Sequence, residues 1–483
     1  MTDAAPAHSG THGDAGRSGA RLLADLADFA HQTERTEQGD RDLDIITTAT
    51  APVADRSSWQ ATGAPLAVIR AFTARGVARV LALATEYGVP VATRGAGSGL
   101  AGGSAAGSGW IVLDVSPLDR IVRIDPVDQL AIVQPGVSPV ALNAAAAEFG
   151  LRYAPDPASA AISSIGGNIA TNAGGFRAVK YGVTRDAVRS LTVVTGDGRT
   201  LHTGSVTAKG VVGYDLVSLL TGSEGTLGVV TEATVALQPI PRDTVTIAAY
   251  FPSIQAAAEA SIAVLGSDVT PSLYELLDRA TLEAIDAVEG TSFSERGSAF
   301  VIVQTDGWGA AAEADRITEL LTPFASELSI ASDDAEAEQL IRTRRLALPS
   351  LERLGRVLIE DISVPISRLA QAVERIGEIA AETGTRIFTM GHAGDGNLHP
   401  IVLVPAHDDP AQQARFEAEA QAAADAIFAL AIEFGGTVSG EHGVGIVKQA
   451  WSVQELGEVA VHLHAGIKHV FDPAGILNPG KGF

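Results

Sequence analysis

The sequence predicts a mixed α+β or α/β protein of two or three domains. Three observations lead there. Strand-like and helix-like segments alternate from Leu66 onward, glycine-rich loops interrupt them, and the texture changes after Gln238-Pro239-Ile240-Pro241. A chain of 483 residues is long enough for more than one large core.

The elements follow in order. Residues 1–19 are rich in Ala, Gly, Ser and His and lack the apolar segment of a secretory signal, so they read as a disordered leader. Leu22, Leu23, Leu26 and Phe29 then space an amphipathic helix over 21–38. Strands are expected at 66–70 and 89–93 around a helix at 73–87, followed by strands at 110–115, 121–124 and 130–134. Ser138, Pro139 and Gly150 have the residue types that start and stop a helix. Gly196-Asp197-Gly198 makes a hairpin of 191–195 and 200–202, and 227–237 is another strand. Beyond Pro241, strands are expected at 244–251, 299–305, 357–362, 386–390 and 400–404. Helices are expected at 253–265, 311–321, 366–382 and 409–434. This gives a leader and helix over 1–40 and halves at 41–241 and 242–440, with a tail at 441–483.

Composition narrows the function. With 34 Lys+Arg against 57 Asp+Glu the formal charge is −23, which disfavours nucleic acid and anionic membrane as partners. An anionic substrate needs a local cationic clamp. The absence of cysteine excludes disulfides, thiolate metal ligands, iron–sulfur clusters and cysteinyl flavin links. No apolar run reaches about 18 residues, so no membrane span is expected, and a cytoplasmic protein is the default.

Three loops carry potential chemistry in the first half. Arg94-Gly95-Ala96-Gly97-Ser98-Gly99-Leu100-Ala101-Gly102-Gly103 can close backbone N–H groups on phosphate oxygens. No helical pattern follows it, which argues against a Rossmann site. The second runs from Pro155-Asp156-Pro157-Ala158-Ser159 through Ser163-Ser164-Ile165-Gly166-Gly167-Asn168-Ile169-Ala170-Thr171-Asn172-Ala173-Gly174-Gly175 and permits close approach to a flat ligand. The third is Gly222-Ser223-Glu224-Gly225-Thr226-Leu227-Gly228-Val229-Val230.

In the second half, Gly391-His392-Ala393-Gly394-Asp395-Gly396-Asn397-Leu398-His399 and Ser439-Gly440-Glu441-His442-Gly443 are glycine-flanked, so their polar groups are expected on tight turns. His392, His399 and Glu441 suffice as ligands for a divalent metal with open positions, zinc being favoured. His442 is free to move protons. His462, His464 and His469 fall on a helical pattern and read as structural or exposed.

The three loops, in this order, resemble the flavin-binding domain of the vanillyl-alcohol oxidase / p-cresol methylhydroxylase superfamily. The histidine motifs and the ending Phe471-Asp472-Pro473-Ala474-Gly475-Ile476-Leu477-Asn478-Pro479-Gly480-Lys481 look like the branch that oxidises D-2-hydroxy acids. That branch holds FAD-linked D-lactate dehydrogenases, the catalytic subunit of glycolate oxidase and D-2-hydroxyglutarate dehydrogenases. The resemblance implies an α+β fold: a bipartite PCMH-type FAD-binding domain, a ferredoxin-like α+β cap for substrate and metal, and a C-terminal helical segment returning to the first domain.

It also implies roles. Arg94, Gly95, Ala96, Gly97, Ser98, Gly99, Gly102 and Gly103 would surround the FAD pyrophosphate. Pro155, Ser159, Gly166, Gly167, Asn168, Thr171, Asn172 and Gly174 would run along the ribityl chain and flavin. Glu224 and Val230 would contact the adenosine end or the loop beneath it, and Asn478 and Lys481 match the tail that returns to the flavin. The only histidine between His31 and His392 is His202, on the expected hairpin, so FAD is expected to be non-covalent. His392, His399 and Glu441 match metal ligands, His442 the general base, Asn397 a substrate-contacting amide, and Arg344 the carboxylate clamp, with Arg345 the register alternative. Arg344 would hold the carboxylate, His442 would take the hydroxyl proton, and hydride would pass to flavin N5. Ile359 stands where dicarboxylate-specific relatives carry lysine, which favours a short monocarboxylate, D-lactate first. The implied partners are a small 2-hydroxy acid and an electron acceptor, either a cytochrome, a quinone or an electron-transfer protein. A homodimer, partner electron-transfer subunits and a peripheral membrane position through the acceptor are compatible with this.

Overall fold

The computed structural model describes residues 12–33, 41–46, 54–57, 59 and 61–482. Residues 1–11 of the expected leader, and 34–38 of the expected first helix, lie outside these. The remainder of the leader is helical, because one helix runs His12–Thr33 with Leu22 and Leu26 fully buried on the first core. That apolar anchor extends the helix back through residues that carry no periodic pattern of their own.

Two larger sheets, with a two-stranded pair of Leu151–Arg152 and Gln238–Pro239, build the first half. Ala67–Ala71 and Val91–Arg94 flank Ile111–Asp114 in parallel, and Leu43–Ile46 adds an antiparallel edge. The crossover helix Ala74–Tyr87 is capped by Thr73, whose hydroxyl accepts from Gly76 N–H, and stops at left-handed Gly88. The second sheet is antiparallel, in the order Ile121–Asp125, Leu130–Val133, Val229–Ala236, Val188–Val194, Thr200–Gly204. Each sheet buries its own apolar set: Ile69, Val91 and Ile111 in one, Val133, Val193 and Val235 in the other. The first glycine loop leaves the C-terminal end of Val91–Arg94. The second carries the short helix Ile165–Thr171.

An eight-stranded sheet organises the second half. Thr244–Phe251, Leu273–Asp278, Ala299–Asp306 and Glu327–Ile330 lie in the spatial order fourth, first, third, second, with helices Ile254–Leu265 and Ala310–Leu321 as connections. That is a ferredoxin-like order. Ile387–His392, Asn397–Val404 and Arg356–Ile359 continue the sheet beyond Leu273–Asp278, and Ile362–Ser363 also pairs with Asn397–Val404. The expected single strand at 357–362 is therefore two, with Glu360 and Asp361 between them. Leu273–Asp278 and the helix Asp334–Glu352 are not among the expected elements; both supply site residues.

The histidine motif departs from expectation. His392 ends one strand and His399 lies inside the next, and the two strands form an antiparallel hairpin in which His392 pairs with Asn397. Only the connection around Gly396, at φ +79°, is a tight turn.

After the helix Gln449–Phe471, bent at Gly457, the chain returns to the first sheet. Leu477 bridges to Val91 in parallel, and Asn478 N–H donates to Val91 O at 2.9 Å. Among the described residues, no helix is long and apolar enough to cross a membrane.

Candidate active site

The three glycine loops converge on one cleft, whose empty volume, mouth included, is about 1370 Å³. Of the residues expected to hold FAD, Gly95, Ala96, Gly97, Ser98, Gly99, Gly103, Ser159, Gly166, Gly167, Asn168, Thr171, Glu224 and Val230 line it. Five lining residues carry buried polar atoms that have no partner among the described residues: Asp55 Oδ2, Thr93 Oγ1, Ser104 Oγ, Asn168 Nδ2 and His442 Nδ1. Buried polar atoms left unpaired are costly, so this lining fits a polar ligand that completes them. Asp55 and Thr93 were missed in the sequence because neither belongs to a glycine motif.

The other six are not among the lining residues. Arg94 lies beneath the first loop, donating to Ala54 O at 2.7 Å. A Cβ on Gly97, at φ +70°, would stand 1.9 Å from its guanidinium, so the loop closes over the cation only because residue 97 is glycine. Gly102 faces Ile446 of the tail. Pro155 is buried beside Pro157, which takes the lining position. Asn172 caps the short helix Ile165–Thr171, and its side-chain oxygen accepts from Arg185 N–H. Gly174 abuts Glu441: a Cβ there would lie 2.8 Å from Oε2. Asn478 donates to Glu224 O at 2.8 Å and accepts from the Lys481 ammonium. These six support the walls.

Asn172, Glu224 and Asn478 share a backbone peculiarity. All three have φ between +44° and +53°, a region that costs non-glycine residues energy and is sparsely used. Glu224 is held there by its clients: its carboxylate accepts the backbone N–H groups of Val444 and Gly445, at 2.8 and 2.6 Å. The third loop thereby anchors the turn that carries Glu441 and His442, which themselves line the cleft.

On that turn the polar groups gather. Glu441 Oε1 lies 3.4 Å from His392 Nε2 and 3.4 Å from His399 Nε2. One ligand atom from each of the three lies within 4.8 Å of the others. Two imidazoles and a carboxylate converging this closely fit a divalent cation. His442 stacks on His399, with centroids 4.9 Å apart and planes 11° from parallel, and its Nε2 is 3.7 Å from Glu441 Oε1. Burial pushes the His442 ring down to about 4, which keeps it neutral and able to accept a proton. His442 is the one histidine among the cleft-lining residues; His202 sits on the hairpin strand Thr200–Gly204, bonded to Thr192.

Two carboxylates absent from the sequence motifs stand behind this cluster. Glu275, 1 % exposed, bonds His392 Nδ1 at 2.5 Å and Arg344 Nε at 2.7 Å. Asp361, fully buried, accepts Asn397 Nδ2 and Ser439 Oγ, the backbone N–H groups of Glu441 and His442, and the Lys448 ammonium. Burial alone would raise the Asp361 carboxyl. The Lys448 charge and the neighbouring His442 and His399 rings outweigh it, holding the group well below the usual carboxylate range. Asn397 also donates to Ile362 O at 2.9 Å, so both amide hydrogens face the protein. Arg344 is buried with its guanidinium over the Phe176 ring, whose edge meets His392. Arg345 is exposed and pairs with Glu338.

Comparison with known proteins agrees with this geometry. Residues 65–204 match a family described as FAD binding domain, and residues 240–482 match FAD linked oxidases, C-terminal domain. A Bacillus subtilis protein named glycolate oxidase subunit GlcD is 40 % identical over 423 residues, covering 87 % of this chain and 89 % of its own. A D-lactate dehydrogenase of Archaeoglobus fulgidus is 35 % identical, covering 86 % and 90 %. Among solved structures, p-cresol methylhydroxylase with substrate bound superposes with a TM-score of 0.75 over 98 % of both chains at 15 % identity. The 4-ethylphenol oxidase of Gulosibacter chungangensis does so with 0.72, over 96 % of this chain and 97 % of its own at 18 % identity. The fold is of the PCMH type.

Proposed function

The chain belongs to the FAD-linked oxidases, and from that premise we propose that it oxidises a short D-2-hydroxy acid, D-lactate first, to the 2-oxo acid. The observation that carries the reading is the position of His442, a neutral ring lining the FAD cleft beside the His392–His399–Glu441 cluster. The names of the relatives, glycolate oxidase subunit and D-lactate dehydrogenase, support the substrate class.

FAD would be held non-covalently by the loop residues that line the cleft, and a divalent metal, zinc favoured, by His392, His399 and Glu441. Bound FAD supplies a two-electron acceptor, and the cation a Lewis acid that lowers the hydroxyl pKa. The chain's own residues do the rest. Arg344, with Nε fixed by Glu275, offers the remaining guanidinium donors to the substrate carboxylate. This clamp answers the net charge of −23, which would otherwise repel an acid. His442 Nε2, on the Glu441 side of the ring, takes the hydroxyl proton. Asp361 holds the backbone on which both His442 and Glu441 sit. Ile359, at the end of Arg356–Ile359, adds no second cation for a distal carboxylate, which supports a monocarboxylate.

The word subunit in the relatives' names supports a second reading, in which electrons leave through partner chains. Both readings are tested with the purified chain. Anaerobic addition of D-lactate, glycolate or D-2-hydroxyglutarate should bleach the flavin, D-lactate fastest. A chain that bleaches but cannot reduce an artificial dye needs partners; a chain that none of the three acids bleaches is not a 2-hydroxy-acid oxidoreductase. Acid precipitation should release FAD into the supernatant, and exhaustive chelation should abolish turnover.

A further inference from the structure

We infer that Glu275 is a positioning residue with two clients, seating the metal ligand His392 with one carboxylate oxygen and the substrate clamp Arg344 with the other. The inference rests on the metal and clamp roles proposed above.

Glu275 sits in the strand Leu273–Asp278, whose neighbours Tyr274, Leu276 and Leu277 are all buried apolar core. A carboxylate in such a place is expensive unless both oxygens are matched. They are. Oε1 bonds His392 Nδ1 at 2.5 Å, and Oε2 bonds Arg344 Nε at 2.7 Å. The residues come from three separate elements, and the partners lie 117 and 69 positions away.

Each bond sets a geometry. With Nδ1 occupied by Glu275, the His392 proton is fixed on that side. The Nε2 lone pair then points toward Glu441 Oε1, 3.4 Å away, where a cation would be shared. On the other side, Glu275 takes the Nε of Arg344 and Met390 Sδ lies 3.3 Å from Nη1, so the guanidinium plane is set over Phe176. A counter-ion for Arg344 alone would need only the second bond. The first bond makes Glu275 a shared support of two functions.

The test uses the FAD-loaded chain, stripped of metal and titrated with Zn²⁺ against a chromogenic chelator. Glu275→Gln should lose about 10–100-fold in zinc affinity, the usual cost of removing such a support. At saturating zinc its KM for the hydroxy acid should rise about tenfold, the size of one charge-assisted hydrogen bond. Because Glu275→Gln leaves the Arg344 charge buried alone and could unfold the chain, the double variant Glu275→Gln/Arg344→Met, which removes both charges, decides the metal half. It should still bind zinc 10–100-fold more weakly. Parental zinc affinity in the double variant would overturn the assignment, leaving Glu275 a counter-ion only. An unchanged KM for Glu275→Gln at saturating zinc would overturn the Arg344 half. A parental chain that takes up no zinc fails the metal reading itself, a different result from either.

Discussion

The carboxylate of Asp361 accepts the backbone N–H of His442 at 2.9 Å, across 81 positions of chain. Since it also holds Glu441 N–H, Ser439 and Asn397, one buried anion fixes the turn bearing both the proposed base and a proposed metal ligand. Lys448 is its buried counter-charge, donating to Asp361 O at 2.9 Å as well. Asp361→Ala should therefore lower stability by about 3–5 kcal/mol, because it leaves the Lys448 ammonium unpaired in the core. Thermal unfolding measures that. Asp361→Ala/Lys448→Met should recover much of the melting temperature but not the rate of flavin reduction. If the rate returns as well, the turn does not depend on Asp361.

His442→Ala should lose flavin reduction far more than substrate binding. A positioned base contributes roughly 10²–10⁴-fold in rate. The ring stacks on His399, and the proposed carboxylate clamp Arg344 is held by Glu275 instead. Rapid mixing under anaerobic conditions separates the limiting rate from the half-saturating concentration. A parental limiting rate would place the base elsewhere.

Arg344→Ala should raise the half-saturating concentration and lower the limiting rate together. It removes a charge-assisted contact worth about 1.5–3 kcal/mol and the orientation that contact gives. Arg345→Ala should be silent, since Arg345 is exposed and, among the described residues, bonded to Glu338. The reverse pattern would show that the exposed arginine reaches the substrate.

Much of this site could be read in the sequence, and the unread part has a physical cause. Glycine runs, the paired histidine motifs and Glu441-His442 are local signals, and the cleft and cluster assemble from them. Glu275 and Asp361 leave no such trace. Glu275 is one carboxylate in an apolar strand and Asp361 follows Glu360 between two short strands, and the meaning of each lies in partners far away in sequence. Glycine density also misplaced the histidines: His392 and His399 are strand residues, and only the connection between them is a turn. Arg94, Gly102, Pro155, Asn172, Gly174 and Asn478 belong to the same motifs but are not among the residues that line the cleft. A one-dimensional pattern does not distinguish the two faces of a loop.

Asp306 offers a test of how the two halves are joined. It follows Pro241 in the chain, yet its carboxylate takes Lys180 Nζ at 2.8 Å, the Tyr181 hydroxyl at 2.6 Å and Arg152 Nη2 at 3.4 Å, all from before that boundary. Burial works to raise its pKa. The hydrogen bonds of Lys180 and Tyr181 and the charges of Lys180 and Arg152 outweigh that, so the folded value lies below the ordinary one. A carboxylate depressed on folding stabilises the native state above its unfolded pKa, near 3.9, and that contribution is lost as pH falls through the lower folded value. Asp306→Asn keeps the shape but cannot ionise. Its deficit in melting temperature should therefore be constant above about pH 5 and shrink as pH falls below about 4. Melting curves for both proteins from neutral to acid pH measure the gap. A gap that widens toward acid would reverse the sign and show that Asp306 is not held as an anion between the two halves.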